Sequence, residues 1–330
     1  MKLKGRISLY LIAAGVAAIF AACLLGSTPM TAPRVYAALI GDGGAGDEIV
    51  IWSIRLPRAL AAYLVGAALG VSGAAMQGLL RNPLAEPGIL GVSSSASLTA
   101  TFVVYYGIAT ASPWAMPISA IIGALIATAL IAFTAIHTRS VITLILVGVG
   151  VSSFAGAAMS LLMNLAPNPF TLSDMINWTL GTVANRSFEE ISLSAPFIVS
   201  GSAILLTTRR GLSALSLGEE AASGVGLDLR RQRILTVFGA GLATGGAVAL
   251  AGAIGFVGII APHIVRPFVN FDSGRTLVPS ALLGGALLVL ADIAVRLAPT
   301  ENELKLGVVA ALIGAPIFIW IAMQRRVIHE

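Results

Sequence analysis

The chain has 330 residues, of which 57% are hydrophobic and 11% charged, against about 25% charged in a soluble domain, and this excludes a water-soluble globule. At about 20 residues per crossing, the apolar content supplies roughly ten membrane spans and leaves no room for a large soluble domain. The net charge of +5 comes from 20 Lys and Arg scattered in small groups between apolar runs, so it reads as a topology signal and not as a nucleic-acid footprint.

In chain order, Lys2, Lys4 and Arg6 precede an apolar run over residues 7–26. That run is long for the core of a secretory signal, so an uncleaved first span is expected. The lone cysteine, Cys23, lies within it and provides neither a disulfide framework nor a cysteine-based metal site. The second span, 59–80, carries Gly66, Gly70, Gly73, Ala74 and Gly78 at spacings that let two backbones approach closely in lipid. Tight packing explains these small residues, with a pathway lining as the alternative. The uncharged run 87–136 is too long for one crossing, and Gly107, Pro113 and Pro117 divide it into spans 89–107 and 114–136. Spans 141–165 and 191–208 follow. Residues 234–265 form either one long tilted helix or two pieces, 234–251 and 256–265, broken at Gly252, Gly255 and Gly258. Spans 277–295 and 306–323 bring the expected number to ten. No internal repeat or low-complexity linker interrupts the chain. The longest polar stretch between spans is 209–233, which is expected to face a partner.

Short cytoplasmic loops collect Lys and Arg. With ten spans and the N-terminus inside, Lys2, Lys4, Arg6, Arg81, Arg139, Arg209, Arg210, Arg230, Arg231, Arg233, Arg266, Arg275, Arg325 and Arg326 lie inside, leaving Arg34, Arg55, Arg58, Arg186, Arg296 and Lys305 outside. Nine spans give a more even division, so ten is favoured.

The chemistry of an enzyme is not legible. His137, His263 and His329 open no H-E-x-x-H pair, and none of Lys2, Lys4 and Lys305 follows a glycine, so the G-x-x-x-x-G-K-[ST] phosphate loop is absent. Two readings survive: a carrier driven by an ion gradient, and the membrane half of a pump whose ATPase is another polypeptide. A gradient-driven carrier needs an intramembrane ionisable group. Asp292, the one acidic residue inside an expected span, stands four residues before Arg296 on the same helix face, where a local ion pair competes with a proton-relay role. The pump reading needs a handle outside the membrane, and 209–233 supplies one.

Arg55-Leu56-Pro57-Arg58, the run 66–77 (GAALGVSGAAMQ), the run 82–92 (NPLAEPGILGV), 252–258 (GAIGFVG), Pro262-His263, Leu290-Ala291-Asp292, 307–309 (GVV) and 314–316 (GAP) together resemble the FecCD-type permeases of ATP-binding-cassette importers for iron siderophores, haem and cobalamin. The resemblance covers nearly the whole chain. It implies an all-α integral membrane fold of the type II importer kind, with ten spans per subunit. Residues 1–330 then form a single permease domain with 209–233 as its cytoplasmic coupling loop. The implied setting is the bacterial inner membrane, multi-pass, with both termini cytoplasmic. The implied partners are a second permease, identical or paralogous, two cytoplasmic ATPases, an extracytoplasmic substrate-binding protein and the lipid bilayer, with no nucleic acid. No metal or cofactor is expected in this chain, since ATP and Mg would sit on the ATPase. Among the family's chelates, iron(III) siderophores are the commonest class, with haem and cobalamin left open.

The resemblance also assigns residues. Leu217, Gly218, Glu219, Glu220, Ala221 and Ala222, with Gly226 four residues on, are similar to the importer coupling segment E-A-A-x-x-x-G; by spacing alone this is a solvent-exposed helix-turn-helix. Arg55, Arg58 and Arg296 match arginines that receive glutamates of the binding protein, the alternative being membrane anchors. Ser140, Val141, Ile142 and Thr143 begin a span at the turn that narrows the family's path, and Gly148, Ser152 and Gly156 recur up that helix as path-lining or packing residues. Pro83 and Pro87 force an extended turn, and His263 reads as a hydrogen-bonded structural histidine more readily than as a substrate ligand.

Overall fold

The computed structural model describes residues 2–26, 28–112, 114–138, 140–299 and 303–324; Pro113, Arg139, Arg325, Arg326 and His329 lie outside the described residues. Among the described residues there are helices and turns but no strand, as lipid requires of a chain with no closed barrel, because each backbone polar group must be paired within its own segment.

Seven helices are long and apolar enough to cross a membrane: residues 7–24, Ala45–Leu80, Ala115–His137, Ile142–Asn164, Phe188–Thr207, Leu229–Ala251 and Ser273–Leu297. Three further apolar helices, Val92–Tyr105, Val257–Val265 and Leu306–Gln324, stand where the third, eighth and tenth spans were expected. Among the described residues, seven helices therefore meet the length and apolarity of a full crossing, against the ten expected.

The second helix departs most from its expected limits. It starts at Ala45, well before Ala59, and runs to Leu80, widening to π geometry over Val50–Arg55. Charged residues at 47, 48, 55 and 58 break the apolar window there, yet the helix continues because Arg55 donates to backbone carbonyls and Arg58 pairs with a carboxylate inside the protein. This helix is the centre of the fold. A Cβ placed on Gly66 or Gly70 would lie 2.2 Å from the carbonyl oxygen of Gly284 or Ser280, and one on Gly73 would lie 2.0 Å from that of Gly258. Ala74 is buried in the same core. These small residues serve helix crossing, which resolves the choice between packing and pathway for them.

Two breaks were open in the sequence. Residues 234–265 are two helices, Leu229–Ala251 and Val257–Val265. The chain turns at Gly252, with φ of 70°, and at Phe256, with φ of 67°. Gly258 is not a break, since it lies inside the second helix. Similarly, Gly107, with φ of 67°, ends the helix before it, but Pro117 is the third residue of Ala115–His137, where a missing amide hydrogen costs nothing.

Candidate functional site

Three regions hold the candidate residues. At one end, Arg55, Arg58 and Arg296 come together as largely buried groups. The C-terminal carbonyls of helix Lys2–Leu24 have no partner within that helix. The Arg55 guanidinium donates to the carbonyls of Cys23 at 2.7 Å and Leu24 at 3.0 Å, and also to that of Thr28. Arg296 donates to the Ala22 carbonyl at 3.2 Å. Two arginines thus cap one helix end, where the helix dipole favours cations.

The third arginine closes an ion-pair network. Arg58 grips Asp292 with Nε 3.0 Å from both carboxylate oxygens and a terminal nitrogen 2.8 Å from Oδ1. Its outer edge also pairs with Glu303. Arg296 Nε stands 3.2 Å from Asp292 Oδ2, near enough for ion pairing but off the line of a hydrogen bond. The local Asp292–Arg296 pair is present, and a pair with Arg58, 234 positions away in sequence, is joined to it. Asp292 is 1% exposed, and the Arg58 and Arg296 side chains are each 10% exposed. The three arginines form a largely closed cluster lining an open pocket of 340 Å³, which the half-exposed Glu303 also lines.

At the opposite end of the bundle, the stretch 209–233 holds two short helices, and its last residues, from Leu229, already belong to helix Leu229–Ala251. Arg209–Leu215 is anchored: Gly211, Leu212 and Leu215 are buried, and Ser213 donates to Asp272 at 2.6 Å. Glu219–Gly224 stands further out, entered through Gly218 with φ of 109°. It ends in two bonds, Gly226 N–H to the Ser223 carbonyl at 2.9 Å and Leu227 N–H to the Ala222 carbonyl at 3.0 Å. This double closure puts Gly226 in the left-handed region, with φ of 85°, which a residue without Cβ enters freely. Leu217 and Val225 are 80% and 75% exposed, while Ala222 is buried as the hinge of the knob. Glu220 and Ala221 face outward, and Glu219 bends inward to pair with Arg233 at 2.8 Å.

The turn before helix Val141–Asn164 lies beside this knob. Ser140 caps the helix, its Oγ accepting the Thr143 N–H at 3.3 Å, and Ile142 is 70% exposed. Further up, Ser152 donates to the Gly88 carbonyl at 3.3 Å. The buried Gly148 presents its carbonyl to Gly91. Both residues pack on the turn of 87–91. Gly156 has no neighbour within 4 Å of an added Cβ, and so borders open space. The outer surface of this helix carries Leu146, Val149, Phe154 and Leu161, all exposed.

Some participants were not legible beforehand. Glu86 bends inward so that its carboxylate accepts the Phe256 N–H at 3.2 Å, holding the extended 81–86 turn against the break between two helices. Gln77 donates to the Gly258 carbonyl at 3.1 Å and accepts from Arg266 at 2.5 Å. His263 lies half-buried in the same helix, Val257–Val265. Each of these contacts joins segments far apart in the chain, so no local spacing announces it.

Residues 13–324 match the FecCD transport family. The chain is 38% identical over 294 residues to the ABC transporter permease protein YvrB of Bacillus subtilis, a protein described as uncharacterised, covering 87% of this chain and 83% of that one. It is 39% identical over 283 residues to the vitamin B12 import system permease protein BtuC of Citrobacter koseri, covering 86% and 85%. A solved structure described as an inward-facing conformation of a metal-chelate type ABC transporter superposes with a TM-score of 0.84 at 29% identity, covering 97% of this chain and 99% of that one.

Proposed function

The chain belongs to the FecCD transport family, and on that premise we propose that it forms the path of an importer that carries an iron(III) siderophore, haem or cobalamin handed over by an extracytoplasmic binding protein. It is an inner-membrane ABC transporter permease of the metal-chelate or cobalamin type, a transport subunit whose ATPase is a separate polypeptide.

The observation that carries the detailed reading is the knob. Outside the apolar helices, Leu217 and Val225 stand exposed on a structure fixed by Gly218 and Gly226, on a chain without a phosphate loop of its own. Apolar side chains held out into water on a rigid turn suit the cleft of a partner. In this reading the knob, residues Leu217 to Ala222 with Gly226, is cytoplasmic and receives the movement of two ATPases that bind ATP and Mg. Both chain termini share that side, and the chain as a whole is one permease domain with ten passages, three of them by helices Val92–Tyr105, Val257–Val265 and Leu306–Gln324. A second permease, identical or paralogous, packs beside the first. The exposed apolar side of helix Val141–Asn164 borders the path between them, with Ser140 to Thr143 as its inner gate. ATP binding then biases two arrangements of the pair, open outward and open inward.

On the outer side, the pocket above Arg58 and Arg296 offers cations to an acidic side chain of the binding protein, with Arg55 holding the walls. The similarity to vitamin B12 permeases supports including cobalamin among the first chelates to test, beside the ferric siderophores that dominate the family. The deciding experiment is uptake into proteoliposomes containing permease, ATPase and binding protein, with labelled cyanocobalamin, haem and ferric siderophore offered in turn. Uptake that requires ATP inside and persists when the proton gradient is collapsed is the expected result. Uptake driven by the gradient without ATP would overturn the reading in favour of a secondary carrier. The engagement of Asp292 by Arg58 and Arg296 already leaves that carrier without a free intramembrane carboxylate at this position.

A further inference from the structure

We propose that Arg233 is the positioning residue that links the 219–224 knob to the entry of helix Val141–Asn164. Arg233 lies in the first turns of helix Leu229–Ala251 and is 5% exposed. Its guanidinium holds two segments that are otherwise far apart in the chain. One terminal nitrogen donates to Glu219 Oε1 at 2.8 Å, and the other, by a longer bond of 3.4 Å, to the backbone carbonyl of Thr138. The connection continues beyond Thr138. Its Oγ1 accepts the Ser140 N–H at 3.1 Å, and Ser140 Oγ accepts the Thr143 N–H at 3.3 Å. A continuous series of hydrogen bonds thus runs from the knob, through one side chain, into the first turn of the 141–164 helix.

The chemistry explains why arginine occupies this position. A nearly buried cation without a carboxylate is costly, so Arg233 is bound to follow Glu219 when the knob is displaced. Because the guanidinium is planar and rigid, movement of one nitrogen reorients the other, and the Thr138 carbonyl feels the shift. A lysine would satisfy Glu219 as a point charge but could not hold both acceptors in a fixed relation. The knob and the turn also line one cleft of 760 Å³, with Glu219, Arg233 and Thr138 among its lining residues. Displacement of the knob therefore reaches the turn by a short route.

The inference rests on the coupling role proposed for the knob, and its test uses the permease alone, in lipid nanodiscs, so the two can fail separately. A nitroxide is attached at Ile142→Cys, an exposed site in the first turn, in a Cys23→Ser background that removes the single native thiol. With Arg233 present, Glu219→Gln is expected to quicken the label's motion about twofold; with Arg233→Gln in place, adding Glu219→Gln should change nothing, the non-additivity of a coupled pair. Arg233→Lys, the milder variant should Arg233→Gln fail to accumulate, should also abolish the label's response to Glu219→Gln. An equal response in the arginine, glutamine and lysine backgrounds, or none in any of them, would overturn the proposal. The ATPase-docking reading of the knob would stand in either case.

Discussion

The two ends of the molecule treat their charged and apolar groups in opposite ways. At the end formed by residues 22–58 and 292–303, three arginines are turned inward and bound to helix carbonyls, Asp292 and Glu303. At the end formed by 209–233, Leu217 and Val225 are held outward in the open. A charge withdrawn from water is costly unless it is paired, so the buried groups of the first end find their partners within the chain. A large apolar side chain on a rigid turn outside the bundle gains nothing until something covers it, so the second end awaits a partner. Variants of the buried cluster at the first end should therefore damage the fold, and variants at the second should damage function while sparing the fold.

The largest effect is expected at Asp292. Asp292→Asn leaves Arg296 without its carboxylate and Arg58 with Glu303 alone. Removing one member of a buried pair typically costs about 3 to 5 kcal/mol, and the surviving Glu303 contact places this case near the lower limit. Thermal unfolding of the purified permease in detergent should show the loss, while any remaining uptake stays independent of the proton gradient. A variant as stable as the unmodified chain would mean that the cluster is not what closes this end. The inward turn of the arginines also reinterprets a charge reversal of Arg55, Arg58 and Arg296: it would strip the carbonyls of helix Lys2–Leu24 of their cap and unfold the region before it reported on docking.

A smaller cost in stability, with a larger one in function, is expected at Gly226. No heavy atom lies within 4 Å of an added Cβ, so the penalty comes from the φ of 85°, about 1 to 2 kcal/mol for a residue with a side chain. Gly226→Val should reach the membrane and melt close to the unmodified protein, yet fail to retain the ATPase on co-purification and lose uptake. Retained ATPase with normal uptake would remove the knob from the contact. Leu217→Ser with Val225→Ser sharpens the same comparison, because both sites are exposed in the isolated chain: the melting temperature should be unchanged and ATPase retention weakened.

How much of this was legible beforehand depends on the range of the interaction. Uncharged runs placed the apolar helices, since lipid imposes length and composition locally. The knob was also legible, because a Gly-ended short helix is a local arrangement. The start of the second helix was not, for Arg55 and Arg58 look like a boundary until their partners 32 and 234 positions away are known. The same holds for Arg233, which counted in the sequence only as a topology cation, and for Glu86, whose acceptor role depends on Phe256. The choice between one helix and two over 234–265 was undecided because glycines permit a break without requiring it, and the contact of Gly252 with the Trp178 carbonyl comes from another segment.

The subtlest expected effect lies at the rim of the closed end, and it concerns Glu303. This carboxylate is 41% exposed and pairs with the outer edge of Arg58, the position that an acidic side chain of an incoming binding protein would take. If docking uses that edge, Glu303 competes with the partner, and Glu303→Gln should free it without disturbing the bond between Arg58 and Asp292 beneath. An exposed pair contributes about 0.2 to 1 kcal/mol, so the gain in affinity is small. It should appear mainly as a faster association rate, because surface charge governs encounter more than residence. The gain should fade as salt is raised and screening shortens the reach of Arg58. Surface-plasmon measurements of the binding protein on nanodisc-held permease, at low and at physiological salt, would check this. A rate unaffected by both the substitution and the salt would show that the pocket above Arg58 receives no carboxylate, and would leave the three arginines with the structural work of capping a helix and closing the ion pair.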